Sequence, residues 1–184
     1  MILLRHGQSE FNLHISALGR DPGIHDPKLT PLGHVQARHA AEALIGRHIT
    51  RIIASPYTRT LQTAAPIARA HGLTVQINPI VRERYALSCD VGSRISLQRT
   101  RWPEHRFDGI DEAWWPAIEE PAHGIMARAA LFRAEMQAIP DWASTLVVSH
   151  WGFILALTGQ KVLNGTILHC DPFVDGPQEV EWTH

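Results

Sequence analysis

The chain has 184 residues, of which 45% are hydrophobic and 19% charged, with a formal net charge of −1 when histidines are neutral. Those figures fit one ordinary globular domain, exclude a disordered or low-complexity chain, and give no overall electrostatic case for nucleic acid or a membrane surface as partner. Any anion site must be local. Cys89 and Cys170 match neither a disulfide framework nor a paired zinc motif, which reads as two free thiols in a reducing compartment. Arg5 interrupts the apolar N-terminus, against a signal peptide, and the mainly apolar stretch from Leu146 to Leu157 is too short for a membrane span. The expectation is a cytoplasmic protein without membrane contact.

Met1 to Arg5 reads as a short buried strand that delivers Arg5-His6-Gly7 to its carboxyl end. In an open parallel sheet that edge is where ligands bind. Gly19 to Pro31, rich in Gly, Pro and Asp, is a surface loop. Thr30 and Pro31 form a helix start, cap and first helical residue, and that helix is expected to run to about Arg47. Arg51 to Ala54 is the next strand. Ser55-Pro56 repeats the cap-and-proline pattern ahead of Thr58, Arg59 and Thr63; the segment stops at Gly72, and Pro66 inside it predicts a kink or break. Thr74 to Ile77 alternates as a short strand.

Residues 84–124 show no sustained periodicity and hold Trp102, Trp114, Trp115 and five arginines. They are expected to form an insertion that caps the sheet, within a single domain spanning 1–184. Ile125, Ala129, Phe132, Met136 and Ile139 fall at helical spacing before Pro140. Leu146 to Ser149 is an apolar strand ending at His150, followed by a short helix from Gly152 to Leu157, a turn at Asn164-Gly165-Thr166, and weaker strands near Thr166 to Cys170 and Val180 to Trp182. The alternation of strands and helices implies a three-layer α/β/α fold with a mostly parallel central sheet.

Three strand-to-helix junctions, Arg5-His6-Gly7, Ser55 to Arg59, and Ser149-His150, carry groups of complementary chemistry. Parallel strands bring such junctions together, so two arginines and two histidines can share one crevice. Arginine forks match phosphate oxygens, and helix starts just after the junctions add backbone N–H groups. The expected partner is a phosphate.

The ordered set resembles the histidine phosphatase superfamily, which includes the cofactor-dependent phosphoglycerate mutases. It comprises Arg5-His6-Gly7 with Ser9 and Asn12, Leu29-Thr30 with Gly33, Gln36 and Ala37, Ser55-Pro56 leading to Arg59 and Thr63-Ala64, Glu83, and Val148-Ser149-His150. The resemblance implies a phosphoglycerate-mutase-like fold and a metal-independent, cofactor-free phosphatase acting on a small phosphorylated substrate. His6 would be the nucleophile, forming a phosphohistidine. Arg5, Arg59 and His150 would hold the phosphoryl oxygens, with Asn12 and Gln8 at the rim. Glu83 would be the acid that protonates the leaving oxygen and later the base for water, and residues 84–124 would cap the active site.

Departures from the family pattern refine the branch. Trp151 follows His150 where the acid-phosphatase branch has its catalytic aspartate, so the acid must come from elsewhere, in favour of Glu83. Phosphoglycerate mutases with this motif set carry longer insertions, so the shorter chain looks more like a phosphatase. A mutase-type phosphotransferase, a protein-phosphohistidine phosphatase and a non-catalytic phosphate-binding module remain as alternatives. Cys89 lacks the arginine six positions later that a thiol phosphatase needs, and His34 and His39, five apart, do not share a helix face for a metal. Trp102, Trp114 and Trp115 are read as cap packing, and the arginines at 84, 94, 99, 101 and 106 as solvated, with one or two facing the pocket mouth.

Overall fold

A computed structural model describes residues 1–182. Five strands form one sheet: β1 (Ile2–Arg5), β2 (Arg51–Ala54), β3 (Val75–Ile77), β4 (Thr145–Ser149) and β5 (Ile167–His169), in the spatial order β3-β2-β4-β1-β5. All neighbours are parallel except β5, which runs antiparallel to β1 at the edge. Six helices accompany it: α1 (Glu10–Leu18), α2 (Pro31–Ala43), α3 (Thr58–His71), α4 (Ile95–Arg101), α5 (Ala122–Gln137) and α6 (Trp151–Thr158). None is long and apolar enough to cross a membrane.

Alternation along the central strands sorts their side chains into two cores. Ile2, Leu4, Ile52, Ala54, Leu146 and Val148 point to one face, where they pack with Ala40 and Leu44 of α2 and Leu61 and Ile67 of α3. Leu3, Ile53 and Val147 point to the other, against Ile125, Phe132 and Met136 of α5 and Phe153 and Leu157 of α6. Strands that are apolar on both faces need cover on both, and the three-layer α/β/α arrangement follows. Trp102, Trp114 and Trp115 join the first core, with Trp114 buried. Residues beyond α4 also extend the β3 edge, since the Arg106 amide donates to Val75 O and its carbonyl accepts from the Ile77 amide.

Several elements differ from the sequence reading. Glu10–Leu18 is a helix that periodicity does not reveal, because Phe11 is its one buried residue; Ser9 and Asn12 cap it reciprocally. Thr30 caps α2 as expected, accepting from the Gly33 amide, but α2 ends at Ala43, short of Arg47. Ser55 does not cap α3. The amide and hydroxyl of Thr58 instead donate to Asp26, whose carboxylate reaches in from the preceding loop at 2.8 and 2.6 Å. Pro66 does not break α3, which continues to His71. No strand forms at Val180 to Trp182.

Two glycines set how closely the turn after β1 approaches α2. A Cβ on Gly33 would lie 2.0 Å from the Gln8 carbonyl oxygen, and one on Gly7 would lie 2.4 Å from the Gly33 carbonyl oxygen. Both obstacles are backbone, which cannot swing aside. Gly33→Ala is therefore expected to destabilise the fold by about 3 kcal/mol, the upper part of the usual overpacking range. Urea unfolding of the variant, with a midpoint unchanged from wild type, would contradict the close approach.

Candidate active site

The register of the sheet brings the three junctions together. Arg5 pairs with Ser149 and Ala54 with Val148, so the carboxyl ends of β1, β4 and β2 lie side by side. The chain continues each strand by one more bond: the His6 amide donates to Ser149 O at 3.0 Å and the Ser55 amide to Val148 O at 3.4 Å. His6 and His150 are thereby brought edge to face, with ring centroids 5.1 Å apart.

His6 is 3% exposed, and its Nδ1 lies 2.7 Å from Gly7 O. A carbonyl only accepts, so Nδ1 carries the proton and Nε2 keeps its lone pair. Burial, then the Arg59 and Arg5 charges, hold the ring well below the usual histidine range, so it stays neutral. His150 is depressed by the same causes, burial first, and is fully buried. Its Nε2 lies 2.6 Å from Ser55 Oγ, while its Nδ1 has no hydrogen-bond partner among the described residues. Ser55 thus orients the second histidine.

Arg5 donates through one terminal nitrogen to Val162 O at 2.6 Å, and its Nε has no hydrogen-bond partner among the described residues. Arg59, 2% exposed, donates to Cys89 O at 2.9 Å, lies 3.5 Å from Asp90 Oδ1, and stacks 4.0 Å above the Tyr57 ring. Asp90 also accepts from the Ala86 and Leu87 amides at 3.1 and 3.0 Å, so it ties the 84–90 segment to the arginine.

Glu83 follows a short turn of 3-10 helix at Pro79–Val81. Its carboxylate accepts from the amides of Arg84 at 2.8 Å and Gly152 at 3.1 Å. Burial and the nearby Asp90 carboxylate raise its affinity for a proton, against those two hydrogen bonds and Arg59. Arg128 fixes the backbone here, donating to the carbonyls of Ile80, Arg82 and Glu83 at 2.6, 2.9 and 3.3 Å while paired with Glu120 at 2.6 Å.

Arg5, His6, Arg59, Glu83 and Asn12 line one cavity of about 470 Å³. His150 stands behind this lining, in the second layer beside His6. Gln8 is not part of it. Its side-chain oxygen accepts from the Thr30 hydroxyl at 2.8 Å and its backbone N–H donates to Gln36 Oε1 at 2.7 Å, which ties the turn after β1 to α2. Residues 84–90 of the expected cap do border the cavity, and Arg84 is the arginine of that segment at its wall.

Sequence reasoning passed over four contributors. Ser55 orients His150; Asp90 pairs with Arg59; Asn164 donates to the His6 carbonyl at 3.1 Å and to Asn12 Oδ1 at 3.3 Å; and Trp182 lines the wall. Only Ser55, at a strand end, stood where the three-junction pattern could have found it. The Cys89 thiol, at the same wall, is pushed up by burial and remains protonated, unsuited to nucleophilic attack.

A sequence model of the histidine phosphatase superfamily (branch 1) matches residues 1–166. The chain is 28% identical over 172 residues to the glucosyl-3-phosphoglycerate phosphatase of Mycobacterium tuberculosis (strain ATCC 25618 / H37Rv), spanning 86% of this chain and 73% of that one. It is 33% identical over 151 residues to the probable phosphoglycerate mutase GpmB of Serratia proteamaculans (strain 568), spanning 80% and 67%. Among solved structures, a complex of the mycobacterial glucosyl-3-phosphoglycerate phosphatase with VO3 superposes with a TM-score of 0.60 at 29% identity, over 85% of this chain and 78% of that one. With the sheet order, the two facing histidines and the family match running together from the first residue past β4, the chain belongs to the histidine phosphatase superfamily.

Proposed function

We propose that the chain is a phosphatase that hydrolyses small phosphomonoesters through a phosphohistidine at His6. The observation that carries this reading is the state of His6: its Nδ1 proton is committed to Gly7 O, which leaves Nε2 its lone pair, and the residue lines a cavity shared with Arg5, Arg59 and Glu83. The Nε2 lone pair attacks phosphorus, the bond to the alcohol oxygen breaks, and Glu83 gives that oxygen its proton. Water then attacks the phosphohistidine, Glu83 takes the water proton, and breakage of the phosphorus–nitrogen bond restores neutral His6 with release of phosphate. Arg5 and Arg59 offset the charge on the phosphoryl oxygens, so the step calls for no metal ion. The Thr60 hydroxyl, within 2.8 Å of two carbonyls, lies 2.9 Å from the Ser55 hydroxyl, which in turn lies 2.6 Å from His150 Nε2, so a chain of two hydroxyls fixes the second histidine beside His6.

Incubation with a ³²P-labelled phosphomonoester and quenching in alkali, where phosphohistidine survives, is expected to leave label on His6. Turnover without labelled protein would overturn the mechanism. The relative named as a probable phosphoglycerate mutase favours one rival, transfer of the phosphoryl group to a second alcohol in place of water. Release of inorganic phosphate at the rate of substrate loss separates the two.

The depressed pKa of His6 has a kinetic sign. A histidine of ordinary pKa, half protonated near 6.5, would lose roughly ten-fold in nucleophilic form by about pH 5.5. Because His6 resists protonation, kcat at saturating substrate is expected to fall by no more than about two-fold from pH 7 to 5.5. A ten-fold fall over that interval would contradict the neutral, buried ring.

A further inference from the structure

Beyond the phosphate base, the cavity wall is built from two clusters. Ser9, Asn12 and Asn164 form a polar one, joined by hydrogen bonds of 3.0 Å from Ser9 to Asn12 and 3.3 Å from Asn164 to Asn12. Ile15, Ala86, Leu87, Trp151 and Trp182 form an apolar one. Its aromatic part is organised: Trp182 meets Trp151 edge to face at 6.3 Å between ring centroids, and the Arg84 guanidinium lies 5.2 Å from the Trp182 ring centre.

The charges of the wall are already matched among the described residues. Arg84, the one cation lining the cavity apart from Arg5 and Arg59, donates its Nε to Glu120 O at 2.9 Å and a terminal nitrogen to Glu119 at 2.9 Å. Asp90 is paired with Arg59, and burial raises the affinity of Glu83 for a proton. A second anionic group on a substrate would have to share Arg84 with Glu119, in a cavity that also holds the carboxyl groups of Glu83 and Asp90. An apolar body meets the opposite situation, since the indole and aliphatic walls lose only water when it enters.

We infer that the favoured substrate is a phosphomonoester whose phosphate is its single anionic group and whose alcohol carries an apolar, aryl or branched alkyl, body, in preference to a phosphorylated carboxylic acid. The inference rests on the phosphatase reading for its chemistry, but the selectivity is a property of the wall and is measurable without turnover.

The experiment is calorimetric binding of three phosphonates, which carry the phosphate-like head on carbon and are not hydrolysed: propylphosphonate, 3-phosphonopropionate and benzylphosphonate. The first two differ by a terminal carboxylate, and the first and third by an aromatic ring. Benzylphosphonate is expected to bind about ten-fold tighter than propylphosphonate, and 3-phosphonopropionate about ten-fold weaker. Trp182→Ala is expected to bring the benzyl and propyl compounds within about three-fold of each other. Glu119→Gln, at an exposed carboxylate, releases Arg84 and is expected to restore about three-fold of the affinity for 3-phosphonopropionate. Binding of 3-phosphonopropionate by the wild-type protein as tightly as propylphosphonate would overturn the inference. Loss of the phosphatase reading would show instead as this ordering of affinities with no hydrolysis of the corresponding esters.

Discussion

His6→Ala is expected to lower kcat for any phosphomonoester by about 10⁴-fold and to abolish labelling of the protein in an alkaline quench. The size follows from what is removed. Among the described residues, no other group lining the cavity offers a neutral, unprotonated nitrogen: Arg5, Arg59 and Arg84 are cations, the Cys89 thiol is held protonated, and Asn12 and Asn164 carry amides. His150 is neutral, but its Nε2 is engaged by Ser55 and the ring stands behind the cavity lining. The fold should tolerate the change, since the His6 side chain makes one hydrogen bond among the described residues, to Gly7 O, and the strand bonds around it are backbone. Vanadate binding by the variant, through Arg5 and Arg59, checks that the pocket survives. Undiminished turnover in His6→Ala would sink the mechanism, and so would full labelling at another residue.

The parts of this site that were legible in the sequence are those placed by the sheet itself. Apolar runs mark β1, β2 and β4, and once these are parallel neighbours Arg5, His6, Arg59 and His150 must converge, whatever the loops do. What escaped depends on partners far away in the chain. Asp26 caps a helix 32 residues later, and no local pattern distinguishes it from the other acidic residues of a Gly- and Pro-rich loop. Ser55 has every feature of a helix cap, and its hydroxyl instead turns to His150, 95 residues on. Asp90 lies in a segment without periodicity and acquires its importance only from the buried guanidinium of Arg59. The alternation at Val180 to Trp182 suggests a strand, but Trp182 spends its side chain on Trp151 and Arg84 while its backbone joins no ladder. Pattern reads faces of regular elements; it does not read which distant polar groups need each other.

Glu83→Gln is expected to lower kcat/KM for an alkyl phosphate by about 10³-fold and for p-nitrophenyl phosphate by less than about ten-fold. The contrast tests the role directly, because kcat/KM covers the steps up to the phosphoenzyme, where an alkoxide needs a proton to depart and a nitrophenolate does not. The pH profile supplies the sign. Burial and Asp90 raise the Glu83 pKa, so the acid form persists above the ordinary glutamate range and is lost as pH rises through the raised value. Alkyl-ester turnover should therefore decline with rising pH in the wild-type protein and lose that decline in Glu83→Gln. Gly152 offers an independent way to move the same group without changing it. A Cβ there would sit 2.3 Å from Glu83 Oε1, and the Gly152 amide is one of the two that hold the carboxylate. Gly152→Ala is expected to push the carboxyl off its position and cost about 10²-fold with the alkyl ester, again sparing the nitrophenyl ester. Equal losses with both esters in the two variants would mean that Glu83 shapes the phosphate pocket and does not protonate the leaving oxygen.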